Sequence, residues 1–156
     1  MKTAVIVPTY NERENILELA RLILSLPHDL QLIIVDDGSP DGTGQIAQRL
    51  ADCDPRVRVI HRPGKLGLGT AYIAGFRLGL QSGATHLLTM DAAFSHHPRY
   101  IPDLLRTGSG YDLVIGSRYV TGGGTRHWNW QRVLLSWGAN WVAKRGLGLA
   151  PNDCTA

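Results

Sequence analysis

Short apolar runs rich in β-branched residues recur along this chain, and stretches of helical periodicity separate them. Thr3 to Val7 is the first such run; it stops at Pro8 and predicts a buried strand. Thr9-Tyr10-Asn11 makes the turn, with Asn11 placed to cap a helix and Glu12 and Glu14 in its first turn, where the helix dipole favours acids. Ile16, Leu17, Leu19, Ala20, Ile23 and Leu24 then recur at helical spacing as far as Pro27. Further strands are predicted over Leu30 to Val35, Val57 to Ile60, His86 to Met90 and Tyr111 to Ile115. The turn-rich loop Asp36 to Thr43 opens a helix reaching about Ala51, and the basic, glycine-rich loop His61 to Gly69 opens one over Thr70 to Leu80. Ser95-His96-His97-Pro98 opens another. Strand and helix alternate throughout, which argues for an α/β fold: a mostly parallel sheet with helices on both faces.

Parallel topology brings the carboxyl ends of all strands to one edge, where open α/β sheets meet their ligands. Pro8 to Glu12, Asp36 to Thr43 and Asp91 to Ser95 gather there, with Arg118 after the fifth strand. A carboxylate at the end of a buried strand, as at Asp91, either holds a divalent cation or caps the following helix.

The chain has 156 residues and reads as one domain, long enough to bury a real core. Its formal net charge of +3 is mild but unevenly spread. No acid occurs between Asp112 and Asp153, whereas Arg118, Arg126, Arg132, Lys144 and Arg145 all do, which suggests an anionic partner. Two cysteines, Cys53 and Cys154, are too few for a disulfide framework and fit a reducing compartment. Met1-Lys2 leads straight into a strand with no secretory leader pattern. No apolar run approaches the roughly 20 residues of a membrane span, so any membrane contact is expected to be peripheral.

Two nucleotide motifs can be set aside. Gly64-Lys65-Leu66-Gly67-Leu68-Gly69-Thr70 is not a phosphate loop, because Lys65 is not followed by Ser or Thr and no glycine stands in the required earlier place before it. The dinucleotide fingerprint fails at Tyr72, and the first strand-to-helix turn has no glycine.

The positive resemblance is more specific. Val7-Pro8-Thr9-Tyr10-Asn11-Glu12 and Val35-Asp36-Asp37-Gly38-Ser39-Pro40-Asp41-Gly42-Thr43 resemble the nucleotide-sugar glycosyltransferases of the GT-A fold. Lys65 to Tyr72, Met90-Asp91-Ala92, Ser95 to Pro98 and Gly116-Ser117-Arg118-Tyr119 narrow the likeness to family 2 members of the dolichyl-phosphate (polyprenyl-phosphate) mannosyltransferase type. The motifs occur in order over nearly the whole chain.

That resemblance implies a donor site and a reaction. Pro8, Tyr10 and Glu12 match the turn that faces base and ribose, and Val35 and Asp37 match the second nucleotide-contacting strand end. Asp91, Ala92 and Ala93 stand at the Asp-x-Asp motif, whose carboxylates hold Mg2+ or Mn2+ against the donor diphosphate. Arg118 matches an arginine that faces phosphate, and with Asp91 it is the expected catalytic pair. The implied reaction moves mannose from GDP-mannose to a dolichyl or polyprenyl phosphate with inversion, at the cytoplasmic face of a membrane and with no nucleic-acid partner. A UDP-glucose-dependent polyprenyl-phosphate glucosyltransferase and a non-catalytic nucleotide-sugar-binding module are the rival readings.

The sequence departs from the family pattern twice. Ala93 replaces the second aspartate of the motif and cannot ligate a cation, so metal binding is expected to be weak and catalysis impaired. Asp153-Cys154-Thr155-Ala156 resembles the start of a segment that in the family continues toward the acceptor, so the chain is expected to be truncated.

From about Trp128 a last helix is predicted, with Trp130, Leu134, Trp137 and Trp141 on one face. Such a stripe faces a core, or it lies at a membrane surface with Arg132, Lys144 and Arg145 on lipid phosphates. Peripheral membrane contact is therefore expected within Trp128 to Arg145. His96-His97 is a poor metal pair, since adjacent side chains rarely converge on one ion.

Overall fold

The structure is a computed structural model and describes residues 1–117, 119–120, 130–148 and 153. It divides into two compact units, Met1–Pro102 and Asp103–Ala156.

In the first unit, β1 (Thr3–Thr9), α1 (Ile16–Leu24), β2 (Leu30–Asp36), α2 (Thr43–Cys53), β3 (Val57–His61), α3 (Leu68–Gln81) and β4 (His86–Thr89) alternate as anticipated. A 3-10 turn over Pro98–Tyr100 leads into α4 (Ile101–Gly108). The strands form a parallel sheet in the order β3-β2-β1-β4. Parallel strands must bury both faces, and β1 and β2 do so almost without exception.

The two faces are filled differently. Ala4, Ile6, Ile33 and Val35 face α3 and form one core cluster with Ala71 and Ala84. This packing depends on small residues: a Cβ added at Gly75 would lie 2.4 Å from Cγ2 of Ile6, and one at Gly79 3.0 Å from Cβ of Ala4. Ala71, Gly75 and Gly79, one turn apart, therefore let α3 lie directly on the sheet. By strand alternation Val5, Val7, Leu32 and Ile34 face the other way, where α1 contributes the fully buried Ile16, Leu19, Ala20 and Ile23.

Three expectations change. The first helix starts at Ile16, not after Asn11: Asn11 has φ +60° and caps nothing, and residues 12–15 form a separate turn closed by Asn15 N–H on the Glu12 carbonyl at 3.0 Å. Glu14 consequently lies before the helix rather than in its first turn. Tyr111 to Ile115 is not a strand, and Tyr111 and Leu113 are about three-quarters exposed (71% and 75%). An apolar alternating run becomes a strand only when an adjacent strand accepts its ladder, and among the described residues this run has none.

In the second unit, α5 (Trp130–Leu147) is the predicted tryptophan helix. Trp130, Leu134, Trp137 and Trp141 are all exposed, so the stripe does not face a core here. Leu135 and Val142 are exposed away from that stripe, so apolar surface extends beyond one face. No helix among the described residues is long and apolar enough to cross a membrane.

Candidate active site at the carboxyl edge of the sheet

β1 runs between β2 and β4, and the connection leaves it toward β2 on one side while β4 lies on the other. Its carboxyl end is therefore a switch point in strand order, where the crevice of such sheets opens.

The crevice is built from side-chain oxygens that hold main chain. Asp36, buried at the end of β2, accepts hydrogen bonds from Thr9 Oγ1 at 3.0 Å, Ser39 N–H at 3.1 Å and Ser39 Oγ at 2.6 Å. Gly44 is required beside it, since a Cβ there would lie 2.8 Å from Asp36 Oδ2. Three successive amides of the first loop then donate across to the second. Asn11 N–H reaches Ser39 Oγ at 3.1 Å, Glu12 N–H reaches Thr43 Oγ1 at 2.9 Å, and Arg13 N–H reaches Asp41 Oδ2 at 3.1 Å. Asp41 also accepts from Thr43 Oγ1 at 2.6 Å and from its N–H at 2.9 Å. The Thr43 hydroxyl is the main cause that holds the Asp41 carboxyl below its ordinary pKa, with the Thr43 and Arg13 amides adding to it.

These bonds fix Pro8, Tyr10 and Glu12 beside Val35 and Asp37. Pro8 pairs in register with Val35, and the Asp37 N–H donates to the Thr9 carbonyl at 3.0 Å. Val35 is fully buried toward α3, so what it offers a ligand is main chain rather than side chain. Tyr10 is partly exposed, and the Lys65 ammonium lies 3.7 Å from its ring centroid. Asp37 is locked to Arg62, Nε to Oδ1 at 2.6 Å and Nη2 to Oδ2 at 2.8 Å. Beyond β2 a cleft of about 430 Å³ opens beside α2, with Gln48 Oε1 and His61 Nε2 2.9 Å apart in its lining.

On the other side of β1, β4 ends at Thr89, Met90 N–H donates to the Ile6 carbonyl at 3.1 Å, and Asp91 follows. Asp91 is half-buried and its Oδ1 accepts from Ser95 N–H at 3.1 Å, closing a tight loop through Phe94 at φ +57°. Asp91 thus ties its own loop without capping the helix that follows; that task falls to His97, whose Nδ1 accepts from Arg99 N–H at 3.1 Å. Ala92 is buried and Ala93 exposed. Tyr72 lies on the same side: burial first, and the Asp91 charge second, push its hydroxyl above its ordinary pKa. Among the described residues no three His, Cys, Asp or Glu side chains converge as a metal cage. For a divalent cation the chain offers Asp91 as one carboxylate, and Ala93 offers no second one. Arg118 lies outside the described residues.

Two sets of contacts are not legible in the motifs. Arg62 sits in the loop already noted as basic, but its pairing with Asp37 across 25 positions leaves no local trace. Ser39, Asp41 and Thr43 lie in the turn-rich loop, but nothing local shows that their oxygens take the main-chain donors of residues 11–13.

A parallel sheet of this order, with acid-bearing loops at its switch point, defines an open α/β fold whose crevice lies at the carboxyl edge of the strands. Residues 4–151 match the sequence profile described as glycosyl transferase family 2, and the chain belongs to that family. It is 50% identical over 99% of its length to polyprenol monophosphomannose synthase of Mycolicibacterium smegmatis, and it covers 59% of that protein. It is 47% identical over its full length to undecaprenyl-phosphate mannosyltransferase of Micrococcus luteus, covering 64% of it. The chain thus spans about six-tenths of the length of these curated relatives. The crystal structure of S. aureus TarS 1-349 superposes with a TM-score of 0.56 at 23% identity, covering 70% of this chain and 33% of that one. That likeness shows the shared GT-A fold.

Proposed function

We propose that this chain is a single donor-binding domain of an inverting glycosyltransferase that moves mannose from GDP-mannose to a polyprenyl phosphate. The observation that carries the reading is the identity of about one residue in two, along the whole chain, to two proteins named for mannosyl transfer to polyprenyl carriers. In this reading Pro8, Tyr10 and Glu12 face the base and ribose, with the Val35 main chain and the Asp37 carboxylate completing that wall.

The chemistry asks little of a general base. The acceptor is a phosphomonoester, already anionic near neutral pH, so a nucleophile exists before binding. The difficulty lies at the leaving group, where charge builds on the diphosphate as the glycosidic bond breaks. Asp91 and the donor's own phosphate oxygens would hold Mg2+ or Mn2+, and the bound cation supplies positive charge at that point. Arg118 is assigned the same task from the protein. Inversion follows if the acceptor attacks from the face opposite the departing diphosphate.

A lipid-linked acceptor fits the exposed tryptophans of α5. Trp130, Trp137 and Trp141 would sit at headgroup depth on the cytoplasmic face, with Lys144 and Arg145 toward lipid phosphates. Trp128, the first residue of the predicted contact, lies outside the described residues.

Ala93 favours a second reading, a nucleotide-sugar-binding module without turnover. Calorimetric titration of GDP-mannose, GDP and UDP with and without Mn2+, on this chain and on Ala93→Asp, separates the two when paired with a mannosyl-transfer assay. Selective GDP-mannose binding with transfer restored by Ala93→Asp supports the enzyme. Binding without transfer in both proteins favours the module, and selective UDP binding favours a UDP-glucose donor. No nucleotide binding under any metal condition overturns the donor site.

A further inference from the structure

Arg62 stands behind Asp37 and is almost wholly withdrawn from solvent, its side chain 8% exposed. Its guanidinium is committed within the chain. Nε and one Nη2 hydrogen hold both oxygens of Asp37, the other Nη2 hydrogen points to the Gly67 carbonyl at 3.3 Å, and Nη1 donates to Thr70 Oγ1 at 2.8 Å. Thr70 Oγ1 in turn lies 2.8 Å from the Leu66 carbonyl and 2.7 Å from that of Gly67. Arg62 N–H donates to the Asp36 carbonyl at 2.8 Å, and Gly38, at φ +68°, admits the Arg62 and Pro63 main chain so closely that a Cβ would sit 3.2 Å away.

One connected unit results. It runs from Asp37 through Arg62 and the glycine loop Gly64–Gly69 to Lys65, whose ammonium rests over Tyr10. A side-on arginine fork fixes the plane of the carboxylate it holds as well as its position. It also occupies the edge of Asp37 on which a second forked partner would bind, leaving the outer lone pairs for a ligand. We infer that Arg62 is a positioning residue of the donor site: it orients Asp37 and the glycine loop as one wall and thereby sets nucleobase selectivity, without touching the donor. This inference rests on the donor-site reading above.

A buried ion pair that served only the fold would lower stability on removal and leave selectivity alone. The test therefore reads a ratio. GDP and UDP are titrated calorimetrically against the full chain, Arg62→Leu, Arg62→Lys, Thr70→Val and the Asp37→Asn/Arg62→Leu double variant, at a temperature where circular dichroism shows each to be folded. The expected result is a preference for GDP in the unaltered chain that falls about tenfold or more in Arg62→Leu. Arg62→Lys, which keeps the charge but loses the fork, recovers part of it. The double variant is no worse than Asp37→Asn alone, titrated alongside it, because the arginine acts through the carboxylate.

If Arg62→Leu is folded and keeps the GDP to UDP ratio, the inference is overturned while the donor site stands. Should Arg62→Leu fail to fold, Thr70→Val decides: it removes the acceptor of Arg62 Nη1 together with the hydroxyl's ties to the Leu66 and Gly67 carbonyls, and an unchanged ratio there is equally fatal. An unaltered chain that binds neither nucleotide overturns the donor reading itself, and this inference with it.

Discussion

Asp36 and Asp37 are adjacent in the chain, yet each holds a different loop. Asp36 gathers Thr9 and Ser39 and so anchors the turn that leads into α2, whereas Asp37 takes the Arg62 guanidinium and anchors the loop that leads into α3. The end of β2 is thus a branching post from which the loops on both sides of the sheet are hung. The expected behaviour of several variants follows from this arrangement.

Thr43 is fully buried, accepts from Glu12 N–H and donates to Asp41. Thr43→Val keeps the shape but leaves a main-chain donor without its acceptor, a loss of about 1–3 kcal/mol. At about 2–4 °C per kcal/mol for a chain of this size, thermal melting will show it. Thr43→Ser, which retains the oxygen, will lose much less.

Gly75 answers to sterics alone. Its missing Cβ would press into Ile6, whereas one on Gly69 meets nothing within 4 Å. Gly75→Ala is expected to destabilise by about 1–3 kcal/mol through overpacking, despite alanine's better helix propensity. Gly69→Ala will be neutral or slightly stabilising, and urea melts of the two variants give the comparison directly.

Asp41 links stability to acid. Its pKa is lowered in the folded chain, so the stability it lends is present at neutral pH and drains away as the pH falls below about 4, through the folded pKa. The difference in melting temperature between the unaltered chain and Asp41→Asn will be constant from pH 7 to 5 and shrink below that window. A difference that grows on acidification contradicts the assignment.

Ala93→Asp restores a second carboxylate next to Asp91. Affinity for GDP-mannose is expected to rise by about tenfold or more in the presence of Mn2+, and little without it, in line with the 10–100-fold weight of groups supporting a metal. Asp91→Asn will remove the metal dependence in either background; titrations in EDTA and in Mn2+ supply the contrast.

Much of the first unit was legible because its two central strands are buried on both faces: runs such as Leu30 to Val35 have no amphipathic alternative. That Pro8 to Glu12 and Asp36 to Thr43 meet at one edge was legible because a parallel sheet collects strand ends. What escaped was non-local. The delayed start of α1 is decided by oxygens on Ser39, Thr43 and Asp41, which draw residues 11–13 out of helical geometry before Ile16. Tyr111 to Ile115 has strand composition, but composition does not supply a neighbouring strand. Arg62 was visible as a charge and invisible as a partner of Asp37.

The three amides that cross from one loop to the next also bear on how the edge comes apart. None of Asn11, Glu12 or Arg13 finds its acceptor within its own segment, so that loop has no independent ordered state to fall back on. Ser39, Asp41 and Thr43 lose these three cross-loop donors at the same moment. In hydrogen-exchange terms, the two loops open as one cooperative unit with a single protection free energy. The edge is present whole or not at all.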